Sequence, residues 1–447
     1  MRPSIDLLRI RRLATDSSVL LEVGYAAALF VLVLTLCRLF QLPLSENAGQ
    51  GYDGVHYYAF AHQARHGLRP TGPAPFIHRV AIPMLAAAWK SKELLSAFRA
   101  ISMWSAAAAT LLLVVWLRQN LASRWVRLTM ITVLVTHWLG PLRFHYYYPA
   151  LTDSLGWAIN LMILILAQEW GRRHSLGALL GLCITALAGT LVRETTLIAL
   201  LCVPFATNPL GSPDQSSRGP SRFVASLRAM AGRTALLGFA PALVAWLTYQ
   251  SIRSSVAETG YVDVLAVTRN WFWIKGLSGL ALAWLWAFGP LLVLMTVFMA
   301  DVRRHFARHQ HQGVFLLAFV CVGWFMGSDT ERLTLWALPV VLVVTGRILE
   351  ERDLLRRAPG FSMAAAGIMS LTLHWWGPIL DSKGGDPKPV PNPWLLGEKV
   401  AVRHFFSVHG NANRLDILAA EHLVLFLFLT TWLWWAAGRG SRREHAA

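Results

Sequence analysis

The sequence predicts an all-α, polytopic integral membrane protein with roughly twelve transmembrane helices. Of its 447 residues, 55% are hydrophobic and only 15% are charged, a balance that cannot cover a water-facing surface of this size. The apolar residues form continuous runs of about 20 residues, the length that a helix needs to cross a bilayer, rather than the alternation typical of a membrane barrel. Helices are therefore expected, because they satisfy their own backbone groups within lipid.

The apolar runs give the order of the predicted spans. Two of them, 175–191 and 195–206, are short, and they are interpreted either as two separate helices or as one bent helix. This choice decides on which side of the membrane every later loop lies. The runs begin near Val19, Ala97, Val126, Pro149, Ser175, Thr195, Thr234, Gly276, Val314, Leu333, Phe361 and Glu421.

Basic residues in the loops distinguish the two interpretations, because Lys and Arg concentrate in cytoplasmic loops. With a cytoplasmic N-terminus, a break between Val192 and Thr195 puts the arginine-rich loops on one side, and a single bent helix does not. The sequence thus predicts cytoplasmic N- and C-termini. It assigns the net charge of +17 to membrane orientation and excludes nucleic acid as a partner. Cytoplasmic arginines in this register include Arg118, Arg124, Arg127, Arg172, Arg173, Arg303, Arg304, Arg308, Arg352, Arg356 and Arg357.

The chain is predicted to be a single membrane domain over residues 1–447 with three longer connections. The first outer loop, 44–93, is rich in aromatic residues, and the segment that follows Asp53 predicts a short helix on the membrane surface. A cytoplasmic linker, 207–233, and a second outer loop, 381–420, contain many Gly, Pro and Ser residues, which disfavour regular structure. The four cysteines lie in apolar runs and give no disulfide framework.

Ionisable residues collect on the outer side in four segments, and two of these carry a prominent carboxylate. Asp53 begins the predicted surface helix, so its role is either that of a favoured N-cap residue or a chemical one. Asp153 lies about one turn inside the outer end of a predicted span, where an unpaired carboxylate costs a few kcal/mol. It is either functional or hydrogen-bonded to Arg143, His145 or a neighbouring hydroxyl.

The other two outer segments carry both signs of charge. Arg193 and Glu194 interrupt an apolar run, and because adjacent helix residues do not face one another, each is expected to have its own partner. Such residues either join helices in a buried network or contact a substrate. Asp329, Glu331 and Arg332 occupy a tight outer connection, which is either an exposed turn or part of the same site. The meeting of four such segments at one boundary favours a reaction centre there.

Four histidines, His56, His62, His66 and His78, share the first outer loop. The spacing of His62 and His66 is that of two metal ligands on one helix turn, but no third ligand is fixed by spacing. We therefore expect a solvated helix face rather than a metal site.

The same segments resemble the GT-C superfamily of membrane glycosyltransferases, in particular bacterial multi-span proteins that take part in forming cell-surface glycopolymers. The best match is GYDGVHYYAFA, and HRVAIP, RET and SDTER are also similar to motifs of those proteins. The resemblance implies that Asp53, the carboxylate in the first outer loop, is the catalytic residue. The chain departs from oligosaccharyltransferase-like members, because the loop 381–420 is too short for their large soluble domain. A metal-independent mechanism is the better fit to these residues.

The resemblance further implies a sugar donor on polyprenyl phosphate and a glycan or lipid acceptor, in the inner membrane of a bacterium with the active site in the periplasm. No cofactor is implied, and the sequence lacks a P-loop or a dinucleotide-type glycine motif. Asp53 would be the general base of an inverting transfer. Arginines would stabilise the phosphate leaving group. The candidate substrate-binding residues are Tyr52, Gly54, Tyr57, Tyr58, His78, Arg79, Asp153, Arg193, Glu194, Asp329 and Arg332.

Two other classes of function remain as alternatives. A transporter or flippase of lipid-linked glycans also needs polar groups facing a membrane cavity, but these would extend through the depth of the membrane. The sequence instead concentrates charge at one boundary, which favours the enzyme. An assembly or scaffold protein of the cell envelope would need neither sugar binding nor transfer.

Overall fold

The computed structural model describes residues 17–40, 46–51, 53–137, 139–207, 236–260, 283–325, 330–358 and 423–435, together with isolated positions between 269 and 281, position 360 and the short strands at 389–391 and 399–401. The described chain is mostly helical, which confirms the predicted all-α class. The span predicted near Gly276 is described from residue 283 onward, and the one near Phe361 lies wholly outside the described residues. So do almost all of the linker 207–233 and most of the loop 381–420.

Two helices are long and apolar enough to cross a membrane, those that begin at Ser17 and at Leu94. Shorter apolar helices of 10 to 17 residues occupy four other positions. The twelve predicted spans therefore remain a prediction. The first six helices are α1 (Ser17–Phe40), α2 (Gly54–Arg65), α3 (Ala81–Ala88), α4 (Leu94–Asn120), α5 (Arg124–Thr136) and α6 (Arg143–Tyr147).

The predicted surface helix in the first outer loop is present as α2, and α3 follows it as a second short helix. Helix α2 forms because Tyr57, Phe60 and Ala61 repeat at helical spacing and are buried on one face. Between the two helices, Thr71–Gly72 (β1) pairs in parallel with Ala257–Glu258 (β2), which brings a distant segment to this loop.

The middle of the chain forms a tightly packed group of helices around α7. This group consists of α7 (Asp153–Arg173), α8 (Leu176–Val192), α9 (Thr196–Ala199), a 3-10 helix (Leu200–Thr207) and α10 (Ala240–Ser255). A Cβ on Gly181 would lie 3.3 Å from Leu166, and one on Gly189 would lie 2.6 Å from Ile159, so α7 and α8 pack antiparallel. The chain then reverses again, because the Ala206 carbonyl oxygen would be 2.1 Å from a Cβ on Gly171.

The break predicted between Val192 and Thr195 is confirmed. Helix α8 ends at Val192, Arg193 has an extended backbone with φ −164° and ψ 138°, and α9 begins at Thr196. The break places Arg193 beside the first turn of α7, because the two antiparallel helices bring the C-terminal end of α8 to the N-terminal end of α7.

The later helices complete the packing around this group. They are α11 (Pro290–Val297), α12 (Met299–Arg308), α13 (Gln310–Phe325), α14 (Thr330–Leu335), α15 (Leu338–Arg352), α16 (Leu354–Arg357) and α17 (Leu423–Trp435). A second strand pair, β3 (Pro389–Pro391) with β4 (Lys399–Ala401), is antiparallel and lies within the predicted loop 381–420.

A buried ion cluster joins the ends of α1, α4 and α5 that are predicted to face the cytoplasm. The side chain of Glu22 is fully buried, and its carboxylate accepts from Arg127 at 2.5 Å and lies 3.2 Å from Arg118. Arg127 also donates to the carbonyl oxygens of Leu121 and Ala122. A buried carboxylate needs such partners, so this cluster holds the three helices in register.

Candidate functional site

Asp53 stands at the N-terminal end of α2, but its side chain makes no capping hydrogen bond to the helix. The capping alternative is therefore not supported. A carboxylate oxygen of Asp53 lies 3.6 Å from a guanidinium nitrogen of Arg332, at the start of α14. The side chain of Asp53 is 33% exposed, whereas that of Arg332 is 8% exposed. The carboxylate thus combines access from outside with one fixed cation.

Gly54 holds this end of α2 against the segment before α7. Its backbone N–H donates to the hydroxyl of Tyr148 at 2.9 Å. A Cβ at Gly54 would lie 2.7 Å from the Cβ of Ala150 and 3.0 Å from the Tyr148 ring. Only glycine fits this close approach, and the approach fixes where Asp53 stands relative to α7.

Replacing Gly54 with alanine is expected to destabilise the protein by about 1–3 kcal/mol, because the added methyl group overpacks a filled contact. Gly177→Ala is the matched control, because Gly177 lies in α8 and has nothing within 4 Å of its Cβ position. Alanine there should be neutral or stabilising by up to about 1 kcal/mol. Thermal unfolding of both purified variants measures the difference. Equal unfolding temperatures would contradict the tight contact at Gly54.

A buried ion pair lies behind Asp53. The Asp153 carboxylate, 2% exposed, accepts from a guanidinium N–H of Arg193, which is 5% exposed. Its other oxygen lies 3.9 Å from Arg332. Arg332 therefore stands between Asp53 and Asp153, and it links the exposed carboxylate to the buried pair. Arg193 is thus the hydrogen-bond partner of Asp153, in place of the predicted alternatives Arg143, His145 or a neighbouring hydroxyl. Arg143 instead donates to the Thr136 carbonyl oxygen at 3.1 Å.

A second pair joins the first outer loop to the break after α8. The Nε–H of Arg79 donates to Glu194 at 2.9 Å, and an Nη2–H donates to its second oxygen. A further N–H of Arg79 donates to the hydroxyl of buried Tyr57. Burial raises the pKa of Glu194, but the adjacent Arg79 outweighs it and brings the pKa down to about 2. The prediction that Arg193 and Glu194 have different partners is confirmed.

His78 extends this cluster toward β2. One ring nitrogen lies 2.9 Å from a carboxylate oxygen of Glu258, and the other lies 3.3 Å from the Tyr249 hydroxyl. The same carboxylate is 3.4 Å from Arg253. The β1–β2 pairing brings Glu258 to the first outer loop, which sequence spacing alone could not indicate.

His145 is fully buried beside Asp153, and neither of its ring nitrogens has a hydrogen-bond partner among the described residues. Burial lowers the pKa of His145, the charge of Asp153 opposes this, and Arg332 and Arg193 add to it, so that the pKa is about 4. The imidazole is therefore neutral at pH 7. A neutral imidazole offers one donor and one acceptor at this site.

Together these residues form what we call the outer ion network: Asp53, Tyr57, His78, Arg79, Tyr148, Asp153, Arg193, Glu194, Glu258 and Arg332. Eight of them, Asp53, Tyr57, His78, Arg79, Asp153, Arg193, Glu194 and Arg332, are among the residues predicted for the site. Gly54 is in place beside them. Tyr58 is half-buried against the core and, among the described residues, makes no hydrogen bond or ion pair with the network. Tyr52 and Asp329, and the side chain of Glu331, lie outside the described residues.

Sequence reasoning missed several polar residues. Tyr148, Tyr249 and Glu258 enter the network through contacts between distant segments. On α7, Asn160 and Gln168 are buried, and the side-chain amide atoms of both have no partner among the described residues. These two residues follow Asp153 by 7 and 15 positions, so they continue the same helix face away from the network. The sequence alone could have indicated these two residues, because both are polar residues within an apolar run.

The arrangement can perform acid–base chemistry beside an anion. It offers one accessible carboxylate, Asp53, and one guanidinium group, Arg332, held in place by the buried carboxylate of Asp153. Among the described residues, no group of three His, Cys, Asp or Glu side chains is placed to hold a metal ion. Comparison of the chain with models of known protein families, with curated proteins and with solved structures gave no match.

Proposed function

We propose that the protein is an inverting glycosyltransferase that moves a sugar from polyprenyl phosphate to a glycan or lipid acceptor at the outer side of a membrane. The single observation that supports this most strongly is the environment of the Asp53 carboxylate. Its carboxylate is accessible, has no capping hydrogen bond, and lies 3.6 Å from a guanidinium group backed by a buried ion pair. A base and a phosphate-binding cation are the two groups that such a transfer requires.

A membrane setting is supported by apolar side chains that face away from the protein. On α8, Leu176, Leu180, Ile184 and Leu187 form one stripe along the helix and are 47–70% exposed. In the first span, α1, only 17% of the residues in the most apolar stretch are buried inside the protein. Exposed apolar surface of this extent is unfavourable in water and favourable against lipid tails. The proposal includes the roughly twelve predicted spans and a location in the inner membrane of a bacterium.

In the proposed reaction, Asp53 takes the proton from an acceptor hydroxyl as its oxygen attacks the anomeric carbon of the donor sugar. A new glycosidic C–O bond forms while the C–O bond to the lipid phosphate breaks. The electron pair of the broken bond stays on the phosphate, which leaves as polyprenyl phosphate. Attack from the face opposite the leaving group inverts the anomeric configuration.

Arg332 is assigned to the leaving phosphate. Its guanidinium group is planar and always charged, and it can present two N–H donors to phosphate oxygens. Asp153 and Arg193 are positioning residues in this proposal, because their pair lies behind Arg332 and holds it by charge. Arg79 and Tyr57 hold the first outer loop against the break after α8.

One observation favours a second candidate, a transporter or flippase of lipid-linked glycans. Asn160 and Gln168 carry polar groups along α7 away from the outer ion network, and their amides have no partner in the described part of the chain. A transport path needs polar groups through the depth of the membrane. Between Asp153 and Glu169, however, α7 carries no charged residue, which favours the enzyme over a transport path.

The decisive experiment uses the purified protein in lipid vesicles with a series of labelled polyprenyl-phosphate sugars and a cell-envelope glycan extract as acceptor. We expect release of polyprenyl phosphate together with label in the acceptor. A membrane-impermeant oxidant reports in the same vesicles whether the sugar has changed leaflet. Movement of the sugar between leaflets without release of polyprenyl phosphate would overturn the enzyme in favour of the transporter. Absence of both would overturn both.

A further inference from the structure

A second concentration of charge lies at the end of the helices opposite the outer ion network. It forms an open cleft between α12 and α15, which we call the basic cleft. The end of α15 is tied to the turn before α5, because Glu350 accepts from the Ser123 backbone N–H at 2.6 Å. The cleft is therefore on the side of the Glu22 cluster, which is predicted to be cytoplasmic.

The one buried carboxylate in the basic cleft is already neutralised. Asp301 has a side chain 5% exposed and accepts from Arg304, three positions later on the same helix, and from Arg352 of α15 at 3.0 Å and 3.2 Å. Both oxygens of Asp301 are thus engaged by guanidinium groups. This arrangement joins α12 to α15, and the negative charge of Asp301 is balanced by Arg304 and Arg352 rather than by the other lining residues.

Two further arginines line the basic cleft without such a partner. Arg308 comes from the end of α12 and Arg347 from α15. Neither is within 4.0 Å of a carboxylate or donates a side-chain hydrogen bond among the described residues. The remaining acidic residue of the lining, Glu351, is exposed, and an exposed ion pair contributes little. The cleft therefore has an excess of positive charge.

The imidazole groups of the basic cleft are consistent with this excess. The His305 ring nitrogen Nε2 donates to the Gln312 side-chain oxygen at 2.9 Å, so the ring is held in one orientation. Burial lowers the pKa of His309, and repulsion from His305, Arg347, Arg172 and Arg308 adds to this and brings the pKa to about 4. Asp301 is paired with Arg304 and Arg352, and Glu351 alone does not balance Arg308 and Arg347, so the cleft favours a negatively charged ligand.

We infer that the basic cleft binds a phosphate group through the guanidinium groups of Arg308 and Arg347. Two guanidinium groups on different helices match a ligand with several oxygens and up to two charges better than they match a carboxylate. The phosphate belongs either to the headgroup of an anionic lipid at the cytoplasmic surface or to a soluble phosphorylated compound. This inference does not depend on the proposed transferase activity.

The test compares two double variants of the full-length protein. Arg308→Gln with Arg347→Gln removes the free guanidinium groups of the cleft. Arg124→Gln with Arg303→Gln is the matched control, because both are exposed arginines on the same predicted side and neither lines the cleft. Inorganic phosphate is titrated calorimetrically into protein in phosphatidylcholine nanodiscs, with acetate at equal ionic strength as the comparison. Native mass spectrometry of detergent-solubilised protein measures retention of phosphatidic acid against phosphatidylcholine.

We expect saturable binding of at least one phosphate probe, reduced tenfold or more in the cleft variant and less than threefold in the control variant. Binding of inorganic phosphate assigns the site to a soluble compound, and retention of phosphatidic acid alone assigns it to a lipid headgroup. Absence of saturable binding by either probe would overturn the inference. So would an equal loss in the two variants when their unfolding temperatures match that of the unchanged protein.

Discussion

Replacement of Asp53 by asparagine is expected to lower sugar transfer by a factor of about 10² to 10⁴, the contribution typical of a general base. Asparagine keeps the size of the side chain but cannot take a proton from the acceptor hydroxyl. The fold should tolerate the change, because Asp53 makes no capping hydrogen bond and its side chain is partly exposed. The effect should fall on the rate constant of transfer, and donor binding should change little.

The matched control for this substitution is Glu93→Gln. Glu93 is an exposed carboxylate of the same outer loop, and it accepts a hydrogen bond from the Ser96 hydroxyl. Transfer by that variant should equal transfer by the unchanged protein. Initial rates of polyprenyl phosphate release from both variants give the comparison. If Asp53→Asn kept half or more of the rate, Asp53 would not be the base.

Arg332 provides a second measure of the same mechanism. Arg332→Lys keeps the charge but loses the planar pair of donors, so transfer should fall less than it does in Arg332→Ala. Loss of the cation near a departing phosphate removes stabilisation that develops in the transition state. A rate in Arg332→Lys equal to that of the unchanged protein would show that the guanidinium geometry has no role. Equal rates in Arg332→Lys and Arg332→Ala would show that the charge alone contributes nothing.

Local patterns in the sequence predicted the elements that carry the site. The periodicity after Asp53 predicted α2, and the charge of the loops predicted the break between Val192 and Thr195. The rule that neighbouring helix residues face apart predicted separate partners for Arg193 and Glu194. All of these are properties of a few consecutive residues or of the number of basic residues in each loop.

The partners themselves could not be predicted, because they depend on how distant segments pack. Glu194 meets Arg79, which is 115 positions earlier, and Asp153 meets Arg193, which is 40 positions later. The β1–β2 pairing that delivers Glu258 has only two residues per strand and no periodic signal. Whether Asp53 caps α2 also depends on its side-chain orientation, because the N-cap position permits either outcome.

Replacement of Asp153 by asparagine is expected to destabilise the protein by about 3–5 kcal/mol, the usual effect of removing one partner from a buried ion pair. Arg193 would remain buried at 5% exposure without its carboxylate, and Arg332 would lose the charge behind it. Glu169→Gln is the matched control on the same helix, because the Glu169 pair with Arg173 is partly exposed. That change should alter stability by about 0.5 kcal/mol or less.

The double variant Asp153→Leu with Arg193→Met separates the effect of losing the ion pair from the effect of leaving one charge buried without a partner. If the loss comes from leaving one charge buried alone, removing both charges together should restore much of the stability that Asp153→Asn loses. Thermal unfolding in the same detergent measures all the variants. Recovery in the double variant without recovery of transfer would assign the pair to positioning Arg332 rather than to holding the helices together. Purely additive losses would contradict the coupling of Asp153 with Arg193.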